Sequence, residues 1–141
     1  METFFQKVQE RRKTWLCVCF GFAVFFGCFT FPIFNWNKEW SVAIRGTQLL
    51  MPLLAYYEIG LLLGLLFPKK RLGTVLLLNL GHVLVGMGCR YLLEFGEVSN
   101  TYNFTWANSL FHIAVLVGYC SLSWFLTAQK VRGIINTNHT K

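Results

Sequence analysis

Charge is scarce in this chain, and its scarcity argues against a water-soluble fold. Only 13% of the 141 residues are Asp, Glu, Lys or Arg, while 55% are hydrophobic and 17% aromatic. A soluble domain of that composition would leave broad apolar surface facing water, a difficulty that a bilayer removes. The residue spacings that carry chemistry are missing as well. Cys17, Cys19, Cys28, Cys89 and Cys120 form no CxxC pair and share no zinc spacing with histidine; they lie in or beside apolar runs and read as small packing residues. No HxxH or HExxH puts two imidazoles on one helix, and no complete catalytic motif, internal repeat or low-complexity segment occurs. Neither a catalytic residue, a metal site nor a cofactor is expected.

What is present is four apolar runs, at about 15–34, 46–67, 72–93 and 106–126, each close to the roughly 20 residues a bilayer-crossing helix needs. The expected fold is all-α: an integral membrane four-helix transmembrane bundle over residues 15–126, with short connections and no room for a separate soluble catalytic domain. In residues 1–14, Phe4, Phe5 and Val8 fall near one helical face, with Gln6, Lys7, Glu10 and Arg11 elsewhere, a pattern suited to a short interfacial helix on the membrane surface. Basic residues leading into the first run imitate a signal peptide, but the run is too long and no small-x-small cleavage site follows. Trp36 and Trp40 are expected to anchor the first connection at an interface. The second connection, ending span two at Pro68, is so short that spans two and three are expected to be antiparallel neighbours. Residues 127–141 read as a tail.

The formal net charge of +7 raises the question of nucleic acid, and the positions of the charges answer it. Lys7, Arg11, Arg12, Lys13, Lys69, Lys70, Arg71, Lys130, Arg132 and Lys141 fall on one side of the four runs; Lys38, Arg45 and Arg90 fall on the other. By the positive-inside rule this ten-to-three split puts both termini and the middle turn in the cytosol. The partners expected of these residues are membrane lipids with anionic headgroups, not nucleic acid. The sequon Asn103-Phe104-Thr105 then lies on the opposite side, where Asn103 is a glycosylation candidate; Asn138-His139-Thr140 lies in the cytosolic tail. The sequons, and the lack of an organellar presequence, favour the endoplasmic reticulum or another secretory membrane.

Ionisable side chains inside a membrane cost about 2.5–3.5 kcal/mol each on insertion scales and ask for a reason. Glu58 falls near the middle of span two, His82 near the middle of span three with Asn79 on its face, and His112 in span four with Asn108 on its face. If these faces converge, Glu58, His82, His112, Asn79 and Asn108 make a polar cluster that either recognises a ligand or serves as interhelical glue worth about 0.6–2 kcal/mol per contact. Gly60 and Gly64 form a GxxxG step on span two, and Gly81, Gly86 and Gly88 thin one side of span three, so Gly60, Gly64 and Gly81 are candidates for a packing or partner face. Arg90 and Glu94, four apart, read as a surface pair.

The stretch from Arg45 through Glu58-Ile59-Gly60-Leu61-Leu62-Leu63-Gly64, the turn Pro68-Lys69-Lys70-Arg71-Leu72-Gly73 and the apolar run to His82 resembles the DoxX-like family of four-helix membrane proteins. The resemblance covers about half the chain. It implies a four-helix bundle with Glu58 at the family's acidic position, and a family that includes quinone-linked bacterial proteins and endoplasmic-reticulum chaperones for receptor assembly. The expected function is that of a noncatalytic membrane accessory protein, an assembly factor or subunit of a larger membrane protein complex. The rival is a small intramembrane enzyme or carrier for a lipid, sterol or quinone that uses Glu58, His82 and His112.

Overall fold

The computed structural model describes residues 2–35 and 42–138, and these form six helices without a strand: α1 (Glu2–Glu10), α2 (Arg12–Phe29), α3 (Val42–Leu66), α4 (Leu72–Leu93), α5 (Val98–Asn103) and α6 (Trp106–Asn138). Four of them, α2, α3, α4 and α6, are long and apolar enough to cross a bilayer, which makes the chain an integral membrane protein. Trp36, Lys38, Trp40, Lys141 and the His139-Thr140 half of the second sequon lie outside the described residues.

In lipid, apolar side chains gain little by leaving their surroundings for one another, so close approach and hydrogen bonding decide which helices pair. The most extensive contact is between α3 and α6. It depends on Gly60 and Gly64. A Cβ on Gly60 would collide with the carbonyl oxygen of Cys120 and come within 2.7 Å of Ser123 Cβ; one on Gly64 would come within 2.6 Å of Thr127 Cβ. Bare backbone at these two positions lets the Ser123 hydroxyl donate to the Tyr57 carbonyl at 2.8 Å. The second seam joins α2 to α4, where Gly27 and Gly86 meet: a Cβ on Gly86 would lie 2.8 Å from Gly27 Cα. Across the remaining sides, the Tyr56 hydroxyl donates to Ala23 O at 3.2 Å, tying α3 to α2, and Asn79 Nδ2 donates to Ser121 Oγ at 2.8 Å, tying α4 to α6.

These four seams arrange the spans in the cyclic order α2, α3, α6, α4. The expectation that spans two and three are neighbours is therefore corrected: α3 and α4 sit diagonally, and the turn between them crosses the end of the bundle. A diagonal turn leaves its carbonyls without helical partners, and side chains from elsewhere supply them. Gln9 Nε2 donates to Leu65 O at 2.6 Å, Trp124 Nε1 to Phe67 O at 3.2 Å, and Arg132 Nε to Pro68 O. Pro68, with no N–H of its own, ends α3.

Element boundaries differ from the hydropathy reading at both ends of the chain. Helix α2 stops at Phe29 rather than continuing to about residue 34, and residues 30–35 fold back as an irregular strap that buries Phe31, Pro32, Ile33 and Asn35. The proline, which cannot donate, sits in that strap. At the other end, α6 runs on to Asn138 where a tail from residue 127 is expected, because Ala128 and Val131 are buried and Arg132 is tied to the α3–α4 turn. The N-terminal segment is helical in α1, breaks at Arg11, and buries Val8 at 1% exposure.

The glycine positions separate by what lies opposite them. Gly60→Leu and Gly64→Leu should each destabilise the protein by about 1–3 kcal/mol or more through overpacking against α6, whereas Gly81→Leu, with nothing within 4 Å of its Cβ position, should be neutral. Thermal unfolding midpoints of the purified variants in one detergent check the contrast.

Candidate functional site

The seam between α3 and α6 also decides where the acidic residue of α3 points. Gly60 faces α6, and at about 100° per residue Glu58 lies some 200° away round the helix. Tyr56, Ile59 and Leu63 are buried, while Glu58 is exposed, within a stripe formed by Leu50, Met51, Leu54 and Tyr57, all exposed. Glu58 stands at the middle of the apolar window Leu49–Leu66, and it makes no hydrogen bond or ion pair with any described residue. A carboxylate is thus presented outward at mid-depth of a membrane-spanning helix.

The structure does not bring Glu58 together with the histidines. His82 is buried on α4 against the ring of Phe20, with centroids 5.9 Å apart, and its Nδ1 has no partner. His112 is fully buried on α6; its Nδ1 accepts the Ile33 backbone N–H at 3.3 Å, and its ring meets Phe31 edge-on at 4.9 Å. Accepting at Nδ1 leaves the proton on Nε2, which has no partner. Asn79 bonds Ser121, and its Oδ1 is unpartnered. Each buried polar group is therefore held by a different neighbour, and they do not form one convergent site. Among the described residues no group of three His, Cys, Asp or Glu side chains is placed to hold a metal ion.

Asn108 belongs to a second feature, at the end of the bundle opposite the α3–α4 turn. Its Nδ2 donates to the carbonyls of Tyr102 and Asn103, both at 3.1 Å, and so occupies the end of α5. Asn103 Nδ2 donates to Glu94 Oε2 at 3.0 Å, Asn103 Oδ1 accepts from Asn35 Nδ2 at 3.0 Å, and Glu94 in turn pairs with Arg90. The strap after α2, the end of α4 and α5 are joined by this chain of side chains, roofed by Phe104, whose ring lies 4.3 Å, centre to centre, from that of Phe31 and meets Tyr91 edge-on at 5.3 Å. The Arg90–Glu94 pair, expected to be a surface contact, is the anchor of that cap, and Glu94 is buried. Asn35 and Gln9 escaped the sequence reading; a polar residue at an apolar boundary is the only signal either carries.

Of the candidate packing residues, Gly60 and Gly64 are occupied by the protein's own α6, and Gly81 faces open space. The Gly27–Gly86 contact, which spacing did not single out, is the close approach that α4 makes. A scan against protein-family models finds no match to this chain, and comparisons with curated proteins and with solved structures also find none.

Asn103 is 4% exposed, and the amide nitrogen that would carry a glycan is committed to Glu94. The folded protein should therefore carry no sugar there. Treatment of the cell-expressed protein with an amide-cleaving glycosidase should leave its gel mobility unchanged; a shift lost in Asn103→Gln would mean that the Asn35–Asn103–Glu94 cap does not form.

Proposed function

We propose that this chain is a noncatalytic accessory protein, a subunit or assembly factor of a larger membrane protein, and that its partner docks on the outward stripe of α3. The observation that carries the reading is the position of Glu58. Leucine and methionine facing lipid need no explanation, but an unpartnered acidic side chain at mid-depth costs about 2.5–3.5 kcal/mol that nothing among the described residues offsets. A transmembrane helix of another protein bearing a Lys or Arg at the same depth would offset it, and would make the association specific in both position and charge. A second copy of this chain fits poorly, because no Lys or Arg lies in the exposed middle of its own spans. Tyr57, beside Glu58 and tilted against the Tyr119 ring at 6.0 Å, adds a ring to the same surface.

The ten-to-three distribution of basic residues supports an orientation with both ends of the chain in the cytosol and α1 at the membrane surface. A secretory membrane, the endoplasmic reticulum or one beyond it, is the location that goes with this proposal. The resemblance of Glu58 to Gly64 and of the Pro68 turn to DoxX-like proteins, some of which chaperone receptor assembly, agrees with this role. The enzyme or carrier reading requires Glu58, His82 and His112 in one pocket, and Glu58 points away from the buried histidines.

The test is positional. A photocrosslinking amino acid at Met51 or Leu54 should give one and the same protein adduct, absent when the probe is at Leu77 on the exposed face of α4, and the captured partner should carry a Lys or Arg in a transmembrane segment. Glu58→Leu should abolish the adduct while the chain accumulates normally and keeps its unfolding midpoint. Adducts of equal yield from all three positions, or an adduct that survives Glu58→Leu, would sink the docking face.

A further inference from the structure

The end of the bundle carrying the α3–α4 turn is strongly basic, and the fold shapes that charge into a cleft. We infer that this cleft binds the headgroup of a polyphosphorylated anionic membrane lipid, one molecule per chain. Its volume is about 480 Å³, within the range of about 300–1,000 Å³ usual for small-molecule sites. Lys69, Lys70 and Arg71 line it from the turn, and Arg132 lines it from α6, one helix away. No acidic residue lines it. The one ion pair among the described residues, Arg90–Glu94, lies at the opposite end, so none of these four cations has a carboxylate to neutralise it.

Arg132 is held in place rather than loose. Its Nε donates to Pro68 O and one Nη2 hydrogen to Lys70 O at 3.4 Å, which fixes the guanidinium plane against the turn and leaves its other N–H groups for an anion. A fixed planar fork beside flexible ammonium groups suits a phosphate, which the fork can meet with two parallel bonds. Four cations brought together this closely repel one another, and a headgroup with a single net negative charge leaves most of that repulsion standing. A headgroup with phosphate monoesters removes it.

The floor of the cleft identifies the source of the phosphate. Leu72 and Phe125, both exposed, continue from the basic rim along the outer faces of α4 and α6, and Trp124 closes the wall between them with its indole N–H spent on Phe67 O. An apolar wall running from a basic rim into the membrane-spanning surface matches a phosphate whose molecule continues into acyl chains. A free inositol phosphate would have no use for it. A second cleft, of about 560 Å³, lies on the other flank of the turn, shares Lys69 and Lys70 and adds Arg12, whose guanidinium sits 4.4 Å over the Phe67 ring. The two lysines can thus add to the charge on either side of the turn.

The test is native mass spectrometry of the full chain in detergent, titrated with phosphatidylinositol bisphosphate, with phosphatidylserine, and with inositol trisphosphate as a soluble competitor. One bisphosphate lipid per chain should bind about tenfold or more tightly than phosphatidylserine, and Lys69→Gln/Lys70→Gln/Arg71→Gln should weaken it by about tenfold or more. The charge-matched variant Lys7→Gln/Arg11→Gln/Lys13→Gln, whose exposed side chains line neither cleft, should leave it unchanged. The three turn residues are exposed, so an unchanged unfolding midpoint separates lost binding from lost fold. Equal weakening by both triple variants would reduce the effect to general surface charge and overturn the site. Binding of phosphatidylserine as tight as the bisphosphate lipid would overturn the headgroup class. Displacement by inositol trisphosphate at concentrations equal to the lipid would overturn the membrane source.

Discussion

The backbone contact between α3 and α6 is the constraint from which the rest of the molecule follows. Where lipid offers apolar side chains as good an environment as the protein interior, two helices are held together by close backbone approach and by hydrogen bonds between them. Gly60 and Gly64 make that possible, and once α6 lies on them Ser123 and Trp124 reach backbone carbonyls of α3 and of the turn beyond it. The rotation of α3 about its own axis is then set. Tyr56 turns inward to Ala23 O, and Glu58, on the other side of the helix, has nowhere to go but out.

The same need to satisfy backbone and polar groups without water shapes the two ends differently. At one end the strap, α5 and the end of α4 are joined through Asn35, Asn103, Glu94 and Arg90, which take one another as partners. At the other, the diagonal turn from α3 to α4 is held by side chains that donate to its carbonyls, which leaves its own three cations facing outward. One end is therefore tied together by its own polar side chains, and the other presents unpartnered charge beside an apolar wall. Between them stand the buried histidines, each packed among aromatic rings and held apart from the acidic residue of α3.

How much of this was legible in the sequence depends on which physical signal carried it. Length and continuity of apolar residues located α4 to the residue and the end of α3 to within one, though α3 begins at Val42, four residues before the apolar run, because the bilayer thickness imposes a minimum length on the apolar core and not on the helix that carries it. The ends of α2 and α6 were less legible. Phe31 and Ile33 are as apolar as any residue of the first span yet sit in an irregular strap, and residues after Leu126 are polar enough to read as a tail yet continue a helix whose contacts are with the turn. The order of the helices round the bundle was not legible at all, since a short turn constrains direction but allows a diagonal as well as an adjacent partner.

By itself, the sequence determined that this is an integral membrane protein of four apolar helices, which of its loops carry the basic residues, and that Gly60 and Gly64 permit close approach. Only the tertiary structure decided that α6 takes that approach, that Glu58 faces outward while His82 and His112 face inward on separate partners, that Asn103 is part of a closed cap, and that Arg132 joins the basic turn in one cleft. The reason is that a membrane helix is apolar on the side facing lipid and on the side facing its neighbours. The periodic contrast that tells inside from outside in a soluble helix is therefore nearly absent, and each residue's direction is set by the backbone contacts between helices.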